Sequence, residues 1–382
     1  MHYLDHAATT PVLPEVTDLM VKVLREDFGN PSSVHAAGRR AKELVEDARE
    51  QVAAAVGARP DEIVFTGGGT EADNLALKGA AAKLRGNGNH VIVSAFEHHA
   101  VLDAAHWLQQ GQGFEVSFAP VGSDGLVDPA AIAALVRPAT ILASVMAVNN
   151  EVGTIQPIAE IAAAVHEANP HALVHTDAVQ ALGNLPVDLH RWGVDLAAFA
   201  AHKIGGPKGV GALFVRSGVA VEATVHGGGQ ERGLRSGTLN VAGIAGFGLA
   251  AQTAAKEVDE KVERVGALRN RLLDGLRAGI PDLTLNGTLD ARVPGNLSVS
   301  IPGTEGETLL LLLDQAGIAC SSGSACASGA VDPSHVLIAM GVQKKLALGS
   351  LRFSLGRASS DDDVDAVLAV LPDIVKQARR AA

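Results

Sequence analysis

Cysteine is nearly absent: Cys320 and Cys326 are the only two in 382 residues. Two thiols are too few for a disulfide scaffold, and a spacing of six is not that of a zinc knuckle. The 14 histidines form no metal-ligating constellation, and His98 and His99 are adjacent rather than one helical turn apart. Basic tracts are missing, and the net charge is -11, which disfavours nucleic acid or an anionic membrane held by charge. The N-terminus lacks a basic region followed by an apolar core, so no signal peptide is expected. The longest uncharged run, Ser236 to Ala255, carries Asn240, Gln252 and, among its glycines, Gly243, Gly246 and Gly248, and reads as a buried helix rather than a membrane span. The default compartment is the cytoplasm. Internal repeats and low-complexity linkers are also lacking.

What is present is a globular composition, 47% hydrophobic and 19% charged, in a chain long enough for two domains. Short apolar runs alternate with helical patterns. Strands are expected at Glu62–Thr66, His90–Ser94, Glu115–Ala119, Thr140–Val148, Leu173–Thr176, Leu196–Ala200 and Val210–Val215. Helices are expected between most of them. This predicts an α/β fold with a mostly parallel seven-stranded sheet covered on both faces. A charged helical stretch near 255–278 leads into a smaller α+β domain. The expected division is 15–255 for the large domain, with 1–14 and 256–382 in the small one.

Ligands of such sheets bind beyond the carboxyl ends of the strands. Thr70, His98, Asn150, Asp177 and Lys203 all fall there. Gly67-Gly68-Gly69-Thr70 joins a strand to a helix, which suits a phosphate, although it is neither a Walker loop nor a dinucleotide fingerprint. As a plain turn, it would simply make Thr70 a helix N-cap. Asp177 either pairs a protonated ring nitrogen or caps a following helix. His98 could stack on a flat ring, or be an ordinary loop histidine. Lys203 follows a buried strand and precedes a glycine-rich loop, so it is either a reactive amine or a snorkelling side chain. Taken together, a phosphate loop, a strand-end aspartate and a later lysine match the way proteins hold pyridoxal phosphate.

The chain resembles the pyridoxal-phosphate-dependent cysteine desulfurases of the NifS/IscS type, within the class V aminotransferase superfamily. The resemblance runs from Tyr3-Leu4-Asp5-His6-Ala7-Ala8-Thr9-Thr10-Pro11 to Ser350-Leu351-Arg352-Phe353-Ser354-Leu355-Gly356-Arg357. Between them lie Thr70-Glu71-Ala72-Asp73-Asn74, Glu97-His98, Asn149-Asn150-Glu151, His202-Lys203, Arg235-Ser236-Gly237-Thr238 and Ser321-Ser322-Gly323-Ser324-Ala325-Cys326. It implies a fold-type I transferase in which Lys203 holds the cofactor covalently. Asp177 would pair the ring nitrogen, Gln180 would bond the ring hydroxyl, and His98 would stack on the ring. Gly69, Thr70, His202 and Thr238 of a homodimer partner would bind the phosphate. Arg352 would clamp the carboxylate of L-cysteine, with Asn150 beside both cofactor and substrate. Cys326 would be the nucleophile that keeps the sulfur as a persulfide and hands it to acceptor proteins such as an iron–sulfur scaffold. The related activities are selenocysteine lyase and aminotransferase. Cys320, after Ile318-Ala319, reads as a structural thiol. Ala200 and Ala201 stand where the family often has serine and glycine, which removes one hydroxyl from the expected phosphate ligands.

Overall fold

Three sheets organise the described residues, 1–322 and 332–381, of the computed structural model. Twelve strands occur among them: β1 (His2–Tyr3), β2 (Ile63–Thr66), β3 (His90–Ser94), β4 (Glu115–Ala119), β5 (Thr140–Ser144), β6 (Leu173–Asp177), β7 (Leu196–Ala200), β8 (Gly211–Val215), β9 (Thr284–Leu285), β10 (Asn296–Ser300), β11 (Ile318–Ala319) and β12 (Ser350–Ser354). The large sheet has the order β2-β8-β7-β6-β5-β3-β4. Only β8 runs against its neighbours, so the sheet is mostly parallel, as expected.

Its strands are apolar throughout because both faces are covered. Alternate residues feed alternate layers. Val64, Val91, Val93, Leu196, Ala198 and Leu213 pack with helices Gly69–Leu84 and His99–Gly111. Ile63, Phe65, Ile92, Ala197, Phe199 and Phe214 pack on the other side with helices Ala36–Ala55, Ile158–Ala168 and Val241–Lys256.

The smaller sheet, in the order β12-β10-β9, is antiparallel. It shares a separate apolar cluster with helices Val258–Gly279, Gly306–Gln315 and Asp361–Ala381. Leu4 belongs to that cluster, because β1 pairs with β11 and Asp5 bridges to Ser354.

Two local expectations change. The strand expected over Thr140–Val148 ends at Ser144, because the chain turns back and Val148 pairs with Ile155. Ala147 N–H still donates to Asp177 O (2.9 Å), which ties this bend to the end of β6. The helix expected from Ser236 starts at Val241, where Asn240 caps it by accepting from Gly243 N–H (3.0 Å).

Candidate active site

Asp177 is the last residue of β6, and Lys203 closes a short turn directly after β7. The two strands are hydrogen-bonded neighbours, so the sheet brings carboxylate and amine to one edge. Asp177 caps no helix. Its Oδ1 accepts from Val179 N–H (2.9 Å) in a tight turn. Burial raises its pKa, while His98, that N–H and Lys203 favour the anion. Two more carboxyls lie under the same edge. Burial, then Asp177 and Glu97, raises Asp73 well above the usual range. Burial pushes Glu97 up to about 8, against hydrogen bonds from Ser94 Oγ (2.5 Å) and Met146 N–H (2.7 Å). Of the three, Asp177 is the one whose burial is opposed by Lys203 and His98.

Lys203 Nζ donates to Ala7 O (2.6 Å) and Ala8 O (2.9 Å) on the N-terminal arm. Burial, with help from Arg352, lowers its pKa to about 8. Gln180 Nε2 donates to the same Ala7 O (2.8 Å). His98 caps helix His99–Gly111 through its Nδ1, which accepts from Ala100 N–H (3.1 Å), so its other ring nitrogen is left for chemistry. Burial lowers its pKa and keeps the ring neutral.

The glycine loop after β2 forms one wall of an open cavity of about 910 Å3 that includes Thr70, Glu71, Asn74, His202, Lys208 and Thr9. Gly69 and Gly211 make it fit. A Cβ on Gly69 would lie 2.7 Å from Val179, and one on Gly211 would lie 2.6 Å from the backbone of Gly68. Thr70 sits inside helix Gly69–Leu84, and Gly68 takes the N-cap position instead. His202 Nδ1 lies 3.2 Å from Thr9 Oγ1, and burial holds its pKa near 4. Lys208 was not singled out from sequence. Its signal was a cation in the glycine-rich loop that also carries Lys203. Ala200 and Ala201 are both buried and bring no hydroxyl to the wall.

Arg352 is buried on β12. Its Nη1 donates to Asn150 O (2.9 Å) and its Nη2 to Asp5 Oδ1 (2.8 Å), while its Nε is buried without a partner. Asn150 thus meets Arg352 through its carbonyl. Asp5, which no spacing argument picked out, orients the guanidinium. Thr238 is exposed and lines no part of this chain's own cradle. Its loop is moored by Arg235 to Glu71 (2.8 Å) and, deeper, by the buried pair of Glu231 and Arg49 (2.7 Å). Cys326 lies outside the described residues. Cys320 is half-buried and free, and burial pushes its thiol up to about 12.

A family model for class-V aminotransferases matches residues 2–367. The chain belongs to the class-V aminotransferase family. It is 46% identical to a cysteine desulfurase IscS of Dictyoglomus turgidum over 99% of this chain and 95% of that one. A cysteine desulfurase IscS of Clostridium botulinum is 48% identical over 99% and 95%. The solved structure of a NifS-like protein superposes with a TM-score of 0.93 at 40% identity, covering 98% of this chain and 99% of that one. The fold is that of the fold-type I pyridoxal-phosphate enzymes.

Pyridoxal phosphate is the cofactor of this class-V chain. The residues present fit it. A phosphate suits the glycine cradle with its threonine and the Lys208 cation. A protonated ring nitrogen suits a buried strand-end carboxyl such as Asp177, and an aldehyde suits an amine depressed to about 8. No helix among the described residues is long and apolar enough to cross a membrane.

Proposed function

We propose that this protein is a cysteine desulfurase that converts L-cysteine to L-alanine and leaves the sulfur as a persulfide on Cys326. The observation that carries the reading is Arg352, held beside the buried Lys203 and Asp177 by Asp5 and Asn150. A fixed guanidinium at this point selects a carboxylate-bearing substrate. The identity with IscS proteins supports cysteine as that substrate.

The bound cofactor supplies an electron sink for the carbon skeleton of the substrate. Lys203 would anchor the cofactor, and its amine would move the α proton of the substrate. Asp177 holds the ring nitrogen protonated. Gln180 orients the ring hydroxyl, and His98 covers the ring face. Gly69, Thr70 and His202 hold the phosphate, with Lys208 in the place of the hydroxyl that Ala200 lacks. The Cys326 thiolate attacks the substrate sulfur. The S–S bond forms as the C–S bond breaks, and the electron pair left on carbon takes a proton to give alanine.

A homodimer completes the cradle in this reading, with Thr238 reaching the partner's phosphate. Exposed Leu24, Phe28 and Val34, the last 89% accessible, offer an apolar face for it. The division into a large domain at 15–255 and a small one of 1–14 with 256–382 is supported by the separate cluster around β10 and β12, although Val293 and residues from 336–347 pack with the large-sheet cluster. Sulfur acceptors are other proteins, an iron–sulfur scaffold among them, in a cytoplasmic setting. Routes to tRNA thiolation or DNA phosphorothioation run through the same persulfide.

The deciding experiment uses the cofactor-loaded protein and L-cysteine. Alanine should appear in step with sulfide when a reductant is present. The variant Cys326→Ser should keep its visible colour and form no persulfide. Full sulfide release by that variant overturns the reading.

A further inference from the structure

A second cavity, of about 430 Å3, shares no lining residue with the phosphate cradle. Its volume suits a small ligand. It lies where the N-terminal arm, the loop after Lys203, the junction of helices Val241–Lys256 and Val258–Gly279, and the residues following β12 meet. Leu13, Val148, Ile204 and Leu355 give it apolar walls.

Two polar groups in its lining are under-satisfied. The Lys261 ammonium donates to Gly183 O and Asn184 Oδ1, both at 2.8 Å. An ammonium has three donors, so one remains. No carboxylate among the described residues forms an ion pair with it. Glu257, one turn away, is engaged by Arg357 at 2.8 Å. Burial, then Arg264, lowers Lys261 to about 8, so it still carries its charge at neutral pH. The second group is His6, whose Nδ1 is buried with no partner. Burial, then Lys261, holds its pKa near 4, so the ring is neutral and can place its one proton on that nitrogen.

A part-buried ammonium with a spare donor, whose acidic neighbour Glu257 is engaged by Arg357, favours an anion arriving from solution. Of the lining cations, Arg357 is paired with Glu257 and Lys203 is the proposed cofactor anchor, so Lys261 is the one left for a monoanion, and the walls favour a hydrocarbon tail. With no free acid in the lining, a zwitterionic amino acid would leave its own ammonium unpaired. We propose that this cavity binds a small aliphatic carboxylate, with its head group on Lys261 and His6 and its chain against Leu13, Val148, Ile204 and Leu355. The site adjoins the proposed reaction centre, because Lys203 and Gln180 also line it.

The test is isothermal titration calorimetry of the cofactor-loaded protein with hexanoate as probe and hexan-1-ol as its uncharged control. Saturable hexanoate binding is expected, weakened about tenfold or more by Lys261→Met. Leu13→Trp, which fills the cavity and keeps the ammonium, should abolish it. Retained visible colour shows that each variant is folded. Any of three results overturns the proposal: no hexanoate binding up to about 10 mM, equal affinity in wild type and Lys261→Met, or equal binding of hexanoate and hexan-1-ol. None of them bears on cysteine turnover, so this proposal and the desulfurase reading fail separately.

Discussion

Replacing Arg352 by glutamine tests the substrate clamp. Arginine offers five N–H donors, and two are spent on Asn150 O (2.9 Å) and Asp5 Oδ1 (2.8 Å). The remaining donors include the pair needed to grip a carboxylate in parallel. Glutamine keeps some polarity but removes both the charge and the fork. It also leaves the Asp5 carboxylate, only 19% exposed, without its partner. Truncating one side of a desolvated charge pair costs about 2–5 kcal/mol, or roughly 30- to 4,000-fold in affinity. We expect kcat/KM for L-cysteine to fall within that range, mostly through KM. Cofactor affinity, read from visible absorbance, should change less than about threefold, a difference of about 0.6 kcal/mol. The assay is alanine formation across a wide range of cysteine concentrations. A loss of kcat/KM below about threefold, or parallel loss of cofactor, refutes the assignment of Arg352 to substrate.

Other consequences follow from buried charge. Glu231→Gln leaves the buried Arg49 with only the half-exposed Glu46 as counter-ion, beneath the loop that carries Thr238, and should cost about 3 kcal/mol in chemical denaturation. A cost under about 1 kcal/mol would mean that the pair does not moor the loop. Glu97 has a folded pKa near 8 against 4.5 unfolded, so folding takes up a proton between those values and stability drains away as pH rises from about 4.5 through 8. Glu97→Gln should therefore gain in melting temperature relative to wild type as pH goes from 5 to 8, and a constant difference would contradict this. His202 has the opposite sign. Its folded pKa near 4 lies below the ordinary 6.5, so its contribution is full above pH 6.5 and lost as pH falls towards 4. A lowered alkylation rate at pH 8 is expected for Cys320 in the background Cys326→Ser, because its thiol ionises only near pH 12. Cys320→Ala should leave persulfide formation intact, and its loss would assign Cys320 a part in the chemistry.

Much of the architecture was legible because local rules and global fold agree. A run such as Leu196–Ala200 is apolar at every position, which a parallel strand buried on both faces requires. Asp177, Lys203 and the glycine loop were legible because chain-local punctuation, a polar residue or glycines ending an apolar run, marks the mouth of a strand. Asp5 and Lys208 were not singled out. An aspartate in an extended arm and a lysine after proline carry no periodic signal, and their meaning depends on what lies opposite them.

By itself, the sequence determined the class of fold and the family, and it nominated the residues proposed to hold the cofactor, since strand ends and glycine turns are fixed by local chemistry. Tertiary structure alone decided how burial and neighbouring charge act on each carboxyl under the sheet edge. Asp73, Glu97 and Asp177 are the same kind of group in sequence, and their separation comes from burial and from which of them faces His98 and Lys203. It also decided that Arg352 is aimed by Asp5, 347 residues away. Desolvation and through-space charge depend on three-dimensional neighbours, and those exist only once the arm, the large sheet and the small sheet have closed on one another.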